Sequence, residues 1–294
     1  MGMGMGMGMG MGMGMGMGMG MGMGMGAMFG AVPVDLGLRP LTLQYTLGPN
    51  SPPSFPEDLL PRAEWKEGAW DLDVLALTFL PEFVRTSWNT LDLAAIIAGT
   101  PDSNLLDWKS PNPATIDGFV RNEIQILLDY MQTDRERYLP EIVFQHDNAP
   151  GYWTALMALN PGANKNTVIL MSLAVRIGQI VAAHYKYEFK RPRPSYVCPG
   201  LLPPFGPPSH TAFPSGHSMQ SWLLTGLLAQ VRPSFTPQLN WLAERVALNR
   251  ERAGVHYPSD TRAGQIIAER CIALITTAQC PKIVQLINDA KAEP

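Results

Sequence analysis

An all-α fold, a helical bundle with long connecting loops, is what this sequence predicts. Two observations lead there. Apolar residues recur three and four apart in Ile116, Phe119, Val120, Ile124, Leu127, Leu128 and Met131, and again in Ile169, Leu173, Ile177 and Ile180, a spacing that gathers one face of a helix. Alternating apolar and polar runs, the mark of strands, are nearly absent.

Taken in order, the first 26 residues alternate Met and Gly without a break. No packing argument accounts for them, and they read as an artificial or placeholder tail outside fold reasoning. Residues 27–65 carry Pro49, Pro52, Pro53, Pro56 and Pro61 without sustained periodicity and read as an extended Pro-rich arm on the surface. Removing the first 26 of 294 residues leaves 268, enough for one large buried core, so residues 66–294 are expected to form a single helical domain. Helices are expected at 72–88 with a break or kink at Pro81, then at 91–98, 115–133, 166–187, 218–230, 238–249 and 261–278. The longest loop, Arg191 to Pro214, is rich in proline, and a loop of that length inside a compact domain is usually functional.

Net charge is −3, and the 22 Lys plus Arg are scattered except around positions 186 to 193. No nucleic-acid partner is expected from that distribution, and the local basic cluster points to a site. Cys198, Cys271 and Cys280 form no CxxC pair and are odd in number, which argues against a zinc site or a complete disulfide framework and for structural thiols. The longest unbroken apolar stretches, Ser218 to Val231 and Cys271 to Pro281, fall short of the ~20 residues a spanning helix needs. A soluble protein with no transmembrane segment is therefore expected. No signal peptide is visible, but the artificial start could have replaced a native N-terminus, so periplasmic or secreted against cytoplasmic stays open.

Three elements carry chemistry. Lys186, Lys190, Arg191 and Arg193 lie at a helix end that exits through Arg-Pro-Arg-Pro, where the prolines force extended backbone and fix where Arg193 points. Pro214-Ser215-Gly216-His217 stands at the mouth of an apolar helix; a hydroxyl, a glycine and free helix amides make an anion cradle, and His217 can move a proton. In Asn249 to Asp260, Arg250 can fork onto two oxyanion oxygens, His256 can offer a ring nitrogen, and Asp260 can take the other ring N–H and fix the tautomer. Glu251 and Arg252 read as surface charges.

Lys186, six residues, then Arg193-Pro194; Pro214-Ser215-Gly216-His217; and Arg250, five residues, then His256, three residues, then Asp260 resemble the three-part signature of the type 2 phosphatidic acid phosphatase and vanadium haloperoxidase superfamily, over roughly 166–278. Asn249 departs from the pattern, which often has Ser there. The resemblance implies a bundle of the type 2 phosphatidic acid phosphatase and vanadium chloroperoxidase type, with 66–294 as a catalytic domain. It implies oxyanion binding by Lys186, Arg193, Ser215, the Gly216 amide and Arg250. His256 would be the covalent nucleophile of a phosphatase, or the metal ligand if vanadate is bound. His217 would be the general acid or base and Asp260 the orienter of His256.

The same pocket suits phosphate or vanadate, both tetrahedral anions, and a crystal grown without substrate is expected to trap phosphate, sulfate or vanadate there. Length favours the soluble bacterial acid phosphatases of the superfamily, with a small phosphate ester as substrate and no cofactor. His210, five residues before Ser215, resembles a position of bromide-using haloperoxidases; it is a possible halide or specificity residue and keeps open a vanadate enzyme acting on peroxide and halide. A noncatalytic oxyanion-binding protein is a third reading, disfavoured because binding alone needs neither His217 nor an oriented His256. Tyr152, Trp153, Tyr196, Phe205 and Trp222 could line an apolar entrance, although aromatics at helical spacing are more often core. A homodimer is possible through the N-terminal arm.

Overall fold

The computed structural model describes residues 70–294, so the Met-Gly tail at 1–26 and the Pro-rich arm at 27–65 lie outside the described residues. Among the described residues the chain is helical and forms no strand, as the periodicity implies.

The stretch expected as one interrupted helix divides into α1 (Leu72–Leu77) and α2 (Leu80–Val84). Pro81 falls in the first turn of α2, where a missing N–H removes no helical bond. After α3 (Leu93–Ile97) comes α4 (Pro113–Thr133), opened by the Asn112 side chain accepting from the Ala114 N–H at 3.0 Å. Next stand α5 (Arg135–Asn148) and α6 (Pro150–Leu156), which the apolar pattern does not reveal. The reason is that α5 docks largely through polar groups. Glu141 accepts from Arg245 at 2.8 Å, and Gln145 Oε1 accepts from Asn249 at 2.9 Å.

The spine is α7 (Lys165–Phe189), whose 25 residues span roughly 37 Å at 1.5 Å per residue. Beyond it the expected loop contains α8 (Pro194–Val197) and a single 3-10 turn at Pro199–Leu201. Helix α9 (Gly216–Val231) is buried on nearly every side, because α7, α10 (Thr236–Arg252) and α11 (Pro258–Ile275) all pack on it. Such a helix needs apolar residues all round, and its Leu223, Leu224, Leu227 and Leu228 are fully covered. Truncating any of them to Ala is expected to cost about 2–5 kcal/mol. The apolar run read as ending at Pro281 is split, with α11 closing at Ile275 and α12 (Pro281–Lys291) docking Ile283, Leu286 and Ile287.

Two expectations need correction. Glu251 and Arg252 are not surface charges: both are buried, and Arg252 donates to Asp134 and Asn249, each at 2.9 Å, with its guanidinium 3.8 Å from the Tyr138 ring centroid. The expectation of a soluble chain with no transmembrane segment, and the soluble localisation drawn from it, is also overturned. The helical stretch Lys165–Val197 is long and apolar enough to cross a membrane by length and composition, and 72% of its apolar window is buried inside the fold. Scanning for unbroken apolar runs passed over it, because Ser172, Arg176, Gln179 and His184 interrupt the run without lowering the average far.

Candidate functional site

Two chain reversals, a helix cap and one close helix approach bring the sequence elements together. Helix α7 ends where Lys190 takes a left-handed conformation, φ 55°, turning the chain into Arg191-Pro192-Arg193. Ser215 caps α9, its Oγ accepting the Ser218 N–H at 3.3 Å, and places Gly216 and His217 in the first turn. Gly254, φ 73°, reverses the chain between α10 and α11 and so carries His256 back toward Arg193. Gly264 on α11 permits the closest approach: a Cβ there would stand 2.7 Å from the Ser215 carbonyl oxygen. That carbonyl belongs to the cradle, and the Ser215 N–H in turn donates to the Asp260 carbonyl at 2.9 Å.

Lys186, Arg193, Ser215, His217, Arg250, His256 and Asp260 are all buried, and Gly216 is buried with them. Arg193 Nη1 donates to the Val255 carbonyl at 2.7 Å and lies 3.0 Å from His256 Nε2. A guanidinium only donates, so Nε2 must accept, and the His256 proton sits on Nδ1, 3.3 Å from Asp260 Oδ2. Asp260 therefore fixes the tautomer that leaves the Nε2 lone pair among cations. Burial first, and then Arg193, Lys186 and Arg250, hold the His256 pKa well below the usual histidine range. His217 is held low by burial and by Arg250, and its Nε2 donates to the Gln145 carbonyl at 3.3 Å.

Lys186 sits differently from a direct oxyanion contact. Its ammonium donates to the carbonyls of Thr211, Ala212 and Pro214 at 3.0, 2.9 and 2.6 Å, so all three N–H groups hold the chain leading into Ser215. Arg250 is the opposite case. Its Nη2 lies 3.4 Å from His146 Nδ1, while Nε and Nη1 are buried without a partner. His210 is half-buried beside the cluster, Nδ1 3.0 Å from Arg193 Nη2.

Sequence reasoning gave no role to four residues that enclose the site. Arg191, read only as part of the basic cluster, donates to Asp260 Oδ1, Ser259 Oγ and Glu123. His146, on the unanticipated α5, stacks on Phe205 at 4.2 Å and lies 6.5 Å from His217, ring to ring. Gln145 meets His217 and Asn249. For Glu123 a signal existed: it stands four residues from Phe119 and from Leu127, a carboxylate inside an apolar stripe. Among the aromatics, Trp153 is fully buried core and Tyr196 is exposed, whereas Phe205 reaches the site, its ring centroid 4.9 Å from the Arg250 guanidinium. A cavity of about 510 Å³ lined by Tyr152, Leu156, Trp241 and Leu242 is apolar and holds none of these residues.

The family model of the PAP2 superfamily matches residues 167–282, the stretch that contains every residue of the three motifs. Over residues 167–282 the chain is therefore similar to the PAP2 superfamily. A curated relative, the decaprenylphosphoryl-5-phosphoribose phosphatase of Mycolicibacterium smegmatis, is 32% identical over 115 residues, which cover 38% of this chain and 62% of that protein. A transmembrane PAP2 type phosphatidylglycerolphosphate phosphatase from Bacillus subtilis aligns over 70% of this chain and 92% of its own, at 17% identity and TM-score 0.31. Glu123, Gln145 and His146 lie outside the PAP2 segment, so α4 and α5 complete a site that the segment alone does not enclose.

Proposed function

We propose that this chain is a phosphatase that hydrolyses phosphoric monoesters through a phosphohistidine at His256. The observation that carries the reading is the imidazole itself. Its proton is committed to Asp260 and its Nε2 lone pair faces Arg193, the state a nucleophile needs. The phosphoryl oxygens meet the unpartnered N–H groups of Arg250, with Arg193, the Ser215 hydroxyl and the Gly216 amide. Lys186 acts at one remove, through its charge and through the carbonyls it holds.

In the first step Nε2 bonds to phosphorus and the ester P–O bond breaks. His217 passes its proton to the departing oxygen. Its low pKa without substrate reflects burial and cationic neighbours; a phosphate dianion beside it favours the imidazolium, so the acid is charged when it is needed. Water then attacks phosphorus, His217 takes a proton from it, and the P–N bond breaks to release phosphate and free His256.

The test is turnover of p-nitrophenyl phosphate, followed by rapid acid-free quenching to trap an acid-labile, base-stable phosphoenzyme. His256→Ala should lose both the phosphoenzyme and at least about a thousandfold in turnover; full turnover without His256 defeats the reading. The likeness to the Mycolicibacterium smegmatis decaprenylphosphoryl-5-phosphoribose phosphatase makes that relative's substrate the ester to assay next.

His210, 3.0 Å from Arg193, favours one second reading, a vanadium-dependent haloperoxidase. The donor set fits vanadate as it fits phosphate: two buried unpartnered N–H groups on Arg250, the Arg193 guanidinium, and His256 Nε2 as the nitrogen ligand. Bound vanadate would supply peroxide activation. Dye bromination with peroxide and bromide after loading orthovanadate, with negligible phosphatase turnover, would reverse the order of the two readings.

A further inference from the structure

We propose that Glu123 and Arg191 are positioning residues for the nucleophile, an inference that rests on the phosphohistidine reading for its kinetic consequence but not for its geometry. Arg191 Nη1 donates to Asp260 Oδ1 at 2.8 Å and to Ser259 Oγ at 2.7 Å, while its Nη2 donates to Glu123 Oε2 at 2.5 Å. Glu123 Oε1 accepts the Ser259 N–H at 2.8 Å. The guanidinium is sandwiched by aromatic faces, 3.7 Å from the Tyr257 ring centroid and 4.8 Å from that of Trp108. Both carboxylates and the cation are buried.

The consequence concerns Asp260. With Oδ1 taken by Arg191, only Oδ2 is left for the Tyr257 N–H at 3.0 Å and the His256 Nδ1–H at 3.3 Å. The carboxylate cannot swing, so the imidazole cannot turn. Glu123 supplies the second negative charge that keeps Arg191 from drawing the Asp260 charge away from His256. A residue on α4, outside the PAP2 segment, thus sets the tautomer of the nucleophile through two intervening side chains.

Glu123→Gln preserves shape and one oxygen acceptor while deleting the charge. The chain has five histidines, so ¹⁵N-histidine spectra of the full protein can be assigned ring by ring. In the parent protein His256 should show one protonated Nδ1 and one unprotonated Nε2 that accepts from Arg193. In Glu123→Gln its two nitrogen shifts should converge, the helical circular dichroism should be retained, and kcat for p-nitrophenyl phosphate should fall at least about tenfold with KM changed less than about threefold. A parental His256 spectrum together with parental kcat overturns the proposal. If the parent protein turns over no ester at all, the phosphatase reading fails, and the spectral comparison still decides the positioning role. Should Glu123→Gln not fold, Arg191→Lys, which retains the cation but cannot bridge two carboxylates and a hydroxyl, is read by the same two measurements with the same outcomes.

Discussion

Arg191 and Arg250 are both buried arginines of one site, and they differ in how their donors are used. Arg191 spends its donors on two carboxylates and a hydroxyl. Arg250 has one long contact with His146 and leaves Nε and Nη1 without acceptors, with no carboxylate paired to it among the described residues. Burial, and then Arg193, lower its pKa to about 9. A buried cation without a counter-charge is costly, whereas one held between two carboxylates is part of the framework. Within this pair, the satisfied charge of Arg191 belongs to the scaffold, and the unsatisfied donors of Arg250 face the place where a ligand's charge would be received.

The largest effect that could break this contrast is on stability. Arg191→Ala strands Glu123 and Asp260 as buried, uncompensated carboxylates and is expected to cost about 3–5 kcal/mol in urea unfolding; a loss under about 1 kcal/mol would remove Arg191 from the scaffold. Arg250→Ala should do the reverse. Its stability should hold or rise, while kcat/KM for p-nitrophenyl phosphate drops about 10²- to 10³-fold. Equal losses of stability and activity in both variants would erase the distinction.

A third test lies one residue further along α10. Glu251 is buried, and burial pushes its carboxyl up to about 7 from an ordinary 4.5. Between those values the folded chain keeps a proton that the unfolded chain has released, so stability must fall as pH rises from about 4.5 to 7. The full loss is on the order of 3 kcal/mol. Glu251→Gln should flatten that slope in urea unfolding at pH 5 and pH 8. Glu123, also raised by burial, leaves a residual slope of the same sign. An unchanged slope would show that Glu251 is not its source.

The same contrast explains what could be read from the sequence. Helices α4, α7, α9 and α11 announced themselves because their buried faces are apolar at helical spacing, and the three motifs were legible because their residue types and spacings are fixed by one chemistry. Helix α5 was not, since Arg135, Gln145 and His146 dock through hydrogen bonds and stacking that leave no apolar period. Arg135 alone donates to the carbonyls of Leu201, Leu202 and Arg252, pinning the Pro-rich loop to α10 in a way that only the folded chain displays. Lys186 was found by its spacing, but its partners, three carbonyls 25 to 28 residues away, belong to a loop path that spacing does not specify. The charges Glu251 and Arg252 misled because burial of a charge depends on partners elsewhere in the chain, for Arg252 Asp134 between α4 and α5 and Tyr138 on α5.

The smallest effect is the one closest to the chemistry. Inorganic phosphate should bind the folded state through Arg250 and stabilise it by mass action, by about 2.7 kcal/mol at a hundred times its dissociation constant. Thermal unfolding in sodium phosphate against sodium chloride of matched ionic strength isolates that contribution, because general screening is the same in both. The parental midpoint should rise with phosphate concentration. Arg250→Ala should lose most of the rise, since its unpartnered Nε and Nη1 are the donors left for the anion, whereas Arg252→Ala, already destabilised by the loss of its hydrogen bonds to Asp134 and Asn249, should keep it in full. Should Arg250→Ala respond to phosphate as the parent does, the anion is held by Arg193 and the α9 amides instead, and the unpartnered donors of Arg250 need another explanation.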